Sequence, residues 1–242
     1  MNRNVCKNTI LNTAGIAIFV VLFYTACDDN GVKVVTPEVR TFTDKRDGKT
    51  YKEVTIGEQR WMAENLRYEA DGSVCYDYGY GSWDPAQSCD ADGRLYDWNT
   101  AMNGELSSNS VPSGVEGVCP VGWHIPSDAE WAILIDYVGI NAGTKLKARS
   151  WHDKTESGDS PDGTDKYKFS ALPGGAGSYH DGKTSFIHRG DNGYWWSSTE
   201  NHNNEAWVRQ IMGGGLNAGG AEVNKGYMDK HAYFLSVRCV HD

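Results

Sequence analysis

The clearest periodicity in the chain lies between Ser127 and Gly139. Trp131, Leu134, Ile135 and Val138 recur at i, i+3, i+4 and i+7, so a helix would carry them on one face. Ser127 precedes Asp128-Ala129-Glu130, the spacing of a capping box. In that box the serine and the glutamate each satisfy an orphan backbone N–H of the first turn. Gly139 supplies the stop. The spacing predicts a helix over 128–138 and a shorter one over 144–149.

Elsewhere the pattern has period two. Residues 41–51 read as strand, turn, strand about Asp47-Gly48, because glycine takes positive φ without steric cost. Residues 52–56 alternate, Gly57-Glu58 makes the next turn, and 59–63 read as a third strand. Residues 94–102 read as a strand passing into a short helix. Three further strands are predicted at 194–198, 206–211 and 233–240. Residues 65–118 are loop-rich and 151–193 mostly loop. One capped helix, several short strands and long loops make an α+β domain.

Composition narrows the class. At 242 residues one globular domain, or two small ones, is expected. The 9 tryptophans and 13 tyrosines exclude a disordered chain. The 28 glycines lie well above the usual ~7% and suit tight turns between short strands. With 32 acidic against 23 basic residues the formal net charge is −9, which argues against nucleic acid as a partner.

The N-terminus reads as an address. Arg3 and Lys7 precede an apolar run over 14–26 that is too short for the ~20 residues of a spanning helix and suits a signal peptide. Tyr24-Thr25-Ala26-Cys27 resembles the bacterial lipobox, with tyrosine where leucine is usual. The resemblance implies a signal peptide over 1–26 and a lipidated Cys27 that anchors the chain to the membrane. A linker would then run to residue 38, and the domain would cover 39–242. Asp28-Asp29-Asn30 is similar to the surface-export signal of Bacteroidetes-type lipoproteins. Together these imply a lipid-anchored, surface-exposed place on the outer membrane, and outside the cytoplasm disulfides persist. Cys75, Cys89, Cys119 and Cys239 then remain, with three connectivities open. Loss of Arg3 and Lys7 takes the charge from −9 to −11.

The residues also carry a family signature. Cys119-Pro120-Val121-Gly122-Trp123-His124-Ile125-Pro126-Ser127-Asp128-Ala129-Glu130-Trp131 is one block, and Phe169-Ser170-Ala171-Leu172-Pro173-Gly174-Gly175 a second. Gly190-Asp191-Asn192-Gly193-Tyr194-Trp195-Trp196-Ser197-Ser198-Thr199-Glu200 and Ser236-Val237-Arg238-Cys239-Val240 follow. Upstream stand Trp61-Met62-Ala63-Glu64-Asn65-Leu66 and Gly93-Arg94-Leu95-Tyr96-Asp97-Trp98. Over about 41–241 these blocks closely resemble the Fibrobacter succinogenes major paralogous domain, a family of secreted bacterial lipoproteins. That family is similar to the C-type lectin-like fold. The resemblance implies a twisted antiparallel sheet, one or two helices and a long loop excursion. It also implies a bridge from a cysteine near the first helix to one on the final strand. Cys119 is therefore paired with Cys239, and Cys75 with Cys89.

Candidate chemistry is sparse. The seven histidines show no i, i+4 pair, and neither HExxH nor Cys-x-x-Cys occurs. His124 reads as a packed structural residue. Asp159, Asp162 and Asp165 form an oxygen-rich loop and are the calcium candidates, although the EF-hand pattern is absent. The short sugar-binding motifs of calcium-dependent lectins are absent too. Ser197 and Ser198 lack a sequence-defined base, and no cofactor is implied. Trp195-Trp196 would point to opposite faces of a strand, one into the core and the other either exposed or covering the second face. An exposed ring beside Glu200, Asn203 and Asn204 would form a carbohydrate platform. The expectation is a non-catalytic surface lipoprotein that binds an extracellular glycan or protein. An extracellular enzyme acting on polysaccharide, or an adhesive subunit of a surface assembly, are the alternatives. Oligomeric state stays open.

Overall fold

Asp47-Gly48 turns the chain between β1 (Val39–Thr43) and β2 (Thr50–Ile56), with Gly48 at φ +73°. Then come β3 (Gln59–Met62), α1 (Pro85–Asp92), β4 (Leu95–Tyr96), α2 (Trp98–Met102), β5 (Trp123–His124), α3 (Asp128–Val138) and α4 (Ala142–Leu146). The remainder is β6 (Ala176–His180), β7 (Lys183–Ile187), β8 (Gly193–His202), β9 (Glu205–Ile211), β10 (Asn224–Asp229), β11 (Tyr233–Ser236) and β12 (Val240–His241). This computed structural model describes residues 37–77, 79, 84–151, 163–213 and 220–242. Cys27, Asp159 and Asp162 lie outside the described residues. Glu38–Asp242 forms one compact unit.

The architecture is α+β with two curled sheets. One has the order β1-β2-β3-β12-β5 and is antiparallel throughout. The other runs β10-β9-β8-β11-β6-β7, with β4 also on β11. It is mixed, because β8 and β11 pair parallel at Trp195 and Ser236. The single strand expected over 233–240 is two strands. After Ser236 the chain leaves one sheet and joins the other. Val237 and Cys239 bridge the step by accepting bonds from the Leu66 and Met62 amides.

The helix over 128–138 forms as its pattern predicts. Ser127 Oγ accepts from Glu130 N at 3.1 Å, and Glu130 Oε2 accepts from Ser127 N at 2.9 Å. The helix over 144–149 instead spans Ala142–Leu146, since Lys147 already has extended backbone. The described residues hold four helices rather than one or two. α1 was hidden because it has no apolar face; Asp84 caps it and Pro85 opens it. The β6–β7 hairpin lies in a segment read as mostly loop, and β10 in one to which the sequence pattern assigns no element. Their outer faces are polar, so alternation is weak.

Both sheets bury aromatic cores. Trp61, Trp131, Phe169 and Trp195 pack in one cluster; Tyr96, Trp123 and Trp196 belong to another. A polar hub joins the signature blocks inside. Asn65 Oδ1 accepts from Trp195 Nε1 at 2.8 Å and from Arg238 Nη2 at 2.8 Å. Asn65 Nδ2 donates to the Asp92 carbonyl at 2.7 Å. Arg238 also donates to the Phe169 and Ser170 carbonyls. Burial pushes the Arg238 pKa down to about 9. The two disulfides are Cys75–Cys89 and Cys119–Cys239, the pairing that the family resemblance implies.

Candidate functional site

α2 places a row of polar side chains on the surface. Asp97 caps it by accepting from Thr100 N at 2.7 Å. Trp98, Ala101 and Met102 face the core. Asn99, Thr100 and Asn103 are left on the outer side, at the i, i+1, i+4 positions. Asn103 ends the helix in the left-handed region at φ 51°, a conformation asparagine tolerates.

These residues line an open groove of about 700 Å³ with Arg46, Tyr68, Glu69, Asp71 and Glu116. Tyr68 is half-buried, and its carbonyl accepts from Tyr96 Oη at 2.6 Å. The Arg46 guanidinium lies 3.9 Å from the Tyr68 ring centroid. Asp44, 1% exposed, grips Arg46 through Nε at 3.0 Å and Nη2 at 2.7 Å. Burial opposes the charge on Asp44, but the Arg46 bonds outweigh it and hold the carboxyl below its usual range. Burial likewise opposes the Arg46 charge, and Asp44 outweighs it, so the guanidinium pKa is raised. Gly117 closes one wall at φ +54°, where a Cβ would collide with the Ala101 carbonyl and Ile125. The groove therefore offers amides, a hydroxyl and carboxylates, while the Tyr68 ring is covered by Arg46 and packs against the core. This is a hydrogen-bonding surface.

The residues expected to form a carbohydrate platform do not line it. Trp195 and Trp196 do point to opposite faces, yet both are buried, at 0% and 1% exposure. The strand is covered on both sides, by one aromatic cluster on each. Trp196 Nε1 donates to the Tyr96 carbonyl at 2.7 Å. Neither ring can meet a ligand at the surface. Glu200 is held by Lys230 Nζ at 2.6 Å, and Asn203 and Asn204 are exposed at the β8–β9 turn. The partly exposed aromatic nearest that turn on β9 is Trp207, which pairs with Tyr227 at 6.2 Å. Lys225 Nζ covers its ring at 3.7 Å. Asp165 is committed to Ser170, accepting from N at 2.9 Å and Oγ at 3.0 Å. Among the described residues no three His, Cys, Asp or Glu side chains converge as a metal site.

His124 is a structural residue in its contacts. Its Nε2 lies 2.7 Å from Glu130 Oε1, and its Nδ1 lies 2.7 Å from Asp242 Oδ1. Burial disfavours the charged ring, but the two carboxylates outweigh it and raise the pKa.

The signature blocks thus converge on Asn65, Arg238 and the Cys119–Cys239 bridge. The Fibrobacter succinogenes major domain matches residues 54–241. The chain belongs to this family. No curated protein and no solved structure matches it significantly. Sequence reasoning missed the groove of this family member because its residues lie between the blocks. The available signal was the Asp97 cap, which places Asn99 and Asn103 one turn apart on a polar helix face.

Proposed function

We propose that the chain is a surface lipoprotein whose C-type lectin-like domain binds an extracellular glycan in the groove without transforming it. One observation carries this reading: the concave surface brings the side chains of Asn99, Thr100 and Asn103 together with the carboxylates of Asp71 and Glu116. Sugar hydroxyls need such paired donors and acceptors. The N-terminal run, Cys27 and the two disulfides support an extracellular address.

A polysaccharide array probed with the full chain in detergent tests the reading. Asn99→Ala with Asn103→Gly should weaken binding at least about tenfold, since each lost hydrogen bond is worth about 1 kcal/mol. Glycine keeps the left-handed backbone at Asn103. Absence of binding across neutral, basic and acidic polymers would sink the proposal. A second reading, an adhesive subunit, draws on Ile133, Tyr137 and Ile140, exposed by 42%, 58% and 81% along and just beyond α3.

A further inference from the structure

We infer that His124 is a pH-operated latch: its doubly protonated ring ties Asp242, just beyond β12, to the first turn of α3, and loss of one ring proton lets Asp242 go. The geometry carries this. Both ring nitrogens face a carboxylate oxygen at 2.7 Å, Nε2 toward Glu130 Oε1 and Nδ1 toward Asp242 Oδ1. An ionised carboxylate is an acceptor, and a neutral imidazole has one N–H to donate. The two contacts are therefore both hydrogen bonds on the imidazolium alone. A neutral ring would turn a lone pair toward one of the two oxygens. Burial of the ring favours the neutral form, but the bonds to Glu130 and Asp242 outweigh it and raise the pKa. The latch is thus closed below 6.5 and opens as pH rises through the folded value.

The two carboxylates are not equal partners. The Glu130 side chain is 3% exposed, and its Oε2 also accepts from Ser127 N at 2.9 Å and Ser113 N at 3.2 Å. Moving it would strand two buried amides and a buried charge. The Asp242 side chain is 59% exposed, so water can solvate it once released. The neutral ring thus keeps its proton on Nε2 for Glu130, and Nδ1 loses Asp242. Residue 242 is then held by its amide, which donates to the Gly122 carbonyl at 3.1 Å, and by His241 Nδ1, 2.8 Å from the Asp242 carbonyl. The other charged groups on the neighbouring elements are engaged elsewhere. On β3, Arg60 lies over the Trp123 ring and pairs with Glu53 at 3.6 Å. On β12 the His241 ring stands edge-on to Trp123, and on α3 Asp128 holds Arg209 at 2.6 Å.

Nitrogen NMR of the full chain in detergent, with isotope-labelled histidine, tests the inference, and His124→Gln assigns the signal. At pH 6.5 the His124 ring should be mostly doubly protonated, with its midpoint higher still. Through the same titration the protection of the Asp242 amide against solvent exchange should fall about fivefold, the worth of one hydrogen bond of about 1 kcal/mol. Protection at the Ser127 and Ser113 amides should hold. Asp242→Asn removes one of the two charges, so it should lower the midpoint and abolish the step at residue 242. That side chain is exposed, so the fold is not at stake. A midpoint at or below 6.5, or one that Asp242→Asn leaves in place, overturns the inference. So does constant protection at Asp242, or a step that falls on Ser127 and Ser113 instead.

Discussion

Replacing Lys147 with methionine measures what this fold gives up by burying an amine. Lys147 is 1% exposed and its Nζ has no hydrogen-bond partner among the described residues. The ammonium lies 5.0 Å from the Trp151 ring centroid. Burial pushes its pKa from 10.5 down to about 8, opposed by the charge of Asp191. At about 1.4 kcal/mol per pH unit, that displacement sets a ceiling of roughly 3 kcal/mol on the penalty. Solvent screening lowers the working figure to about 2 kcal/mol. Methionine keeps an unbranched apolar stem and drops the charge.

Lys147→Met should therefore raise stability by about 2 kcal/mol at neutral pH, or roughly 4–8 °C in melting temperature. The sign follows from the depressed pKa of a base. Below about 8 the amine is charged in both states, and the folded state carries the full penalty. As pH rises from there toward 10.5, the folded amine is neutral and the penalty fades. Urea unfolding of wild type and variant, with disulfides intact, at neutral and at alkaline pH checks both statements. A variant no more stable than wild type at neutral pH refutes the argument, as does a gain that persists undiminished at alkaline pH.

His124 gives the opposite pH slope. Its pKa is raised in the fold, so its contribution is full below about 6.5 and is lost as pH rises through the folded value. The melting temperature of wild type relative to His124→Gln should fall as pH rises above about 6.5; a flat difference would count against the Glu130–His124–Asp242 arrangement. Replacing Cys119 and Cys239 together by serine opens a loop with a sequence separation of 120 and should cost about 4–5 kcal/mol. The same change at Cys75 and Cys89, separated by 14, should cost about 3 kcal/mol, and chemical denaturation would expose a reversed order. Asn65→Ala strips the buried Arg238 of its side-chain partner and should cost about 3–5 kcal/mol, whereas exposed Asn99→Ala should change stability by less than about 0.5 kcal/mol. Thermal melts of the two variants, compared side by side, separate hub from groove.

What could be read from the chain was set by how far each signal is local. The α3 capping box needs four consecutive residues, and Asp128–Val138 follows from them. The β2 and β9 strands carry their own alternation, with one face in the core. The Trp195-Trp196 pair was legible only to the point of opposite faces. Whether a face is covered depends on Trp131 and Tyr96, which are far away in sequence. β10 could not be read because none of its residues is fully buried and its place in the sheet comes from pairing with β9. The groove was illegible for the same reason. Arg46, Tyr68, Asn103 and Glu116 come from four separate segments that only the fold assembles.

The position of the groove relative to the signature blocks carries a further consequence. The blocks supply Asn65, Trp195, Arg238 and the Cys119–Cys239 bridge, all of them buried. None of the groove residues falls within a block: 68–71 follow one, 99–104 follow another, and 116–118 precede a third. The blocks end where the chain emerges from the core. Side chains there can change without touching the Asn65 hub, because exposed substitutions cost little. The residues that make the family recognisable are thus the ones that hold the scaffold, and the residues that would choose a ligand stand just outside them. A family match over residues 54–241 therefore accounts for how this chain packs, while the proposed binding rests on side chains outside the blocks, Asp71, Asn99, Asn103 and Glu116 among them.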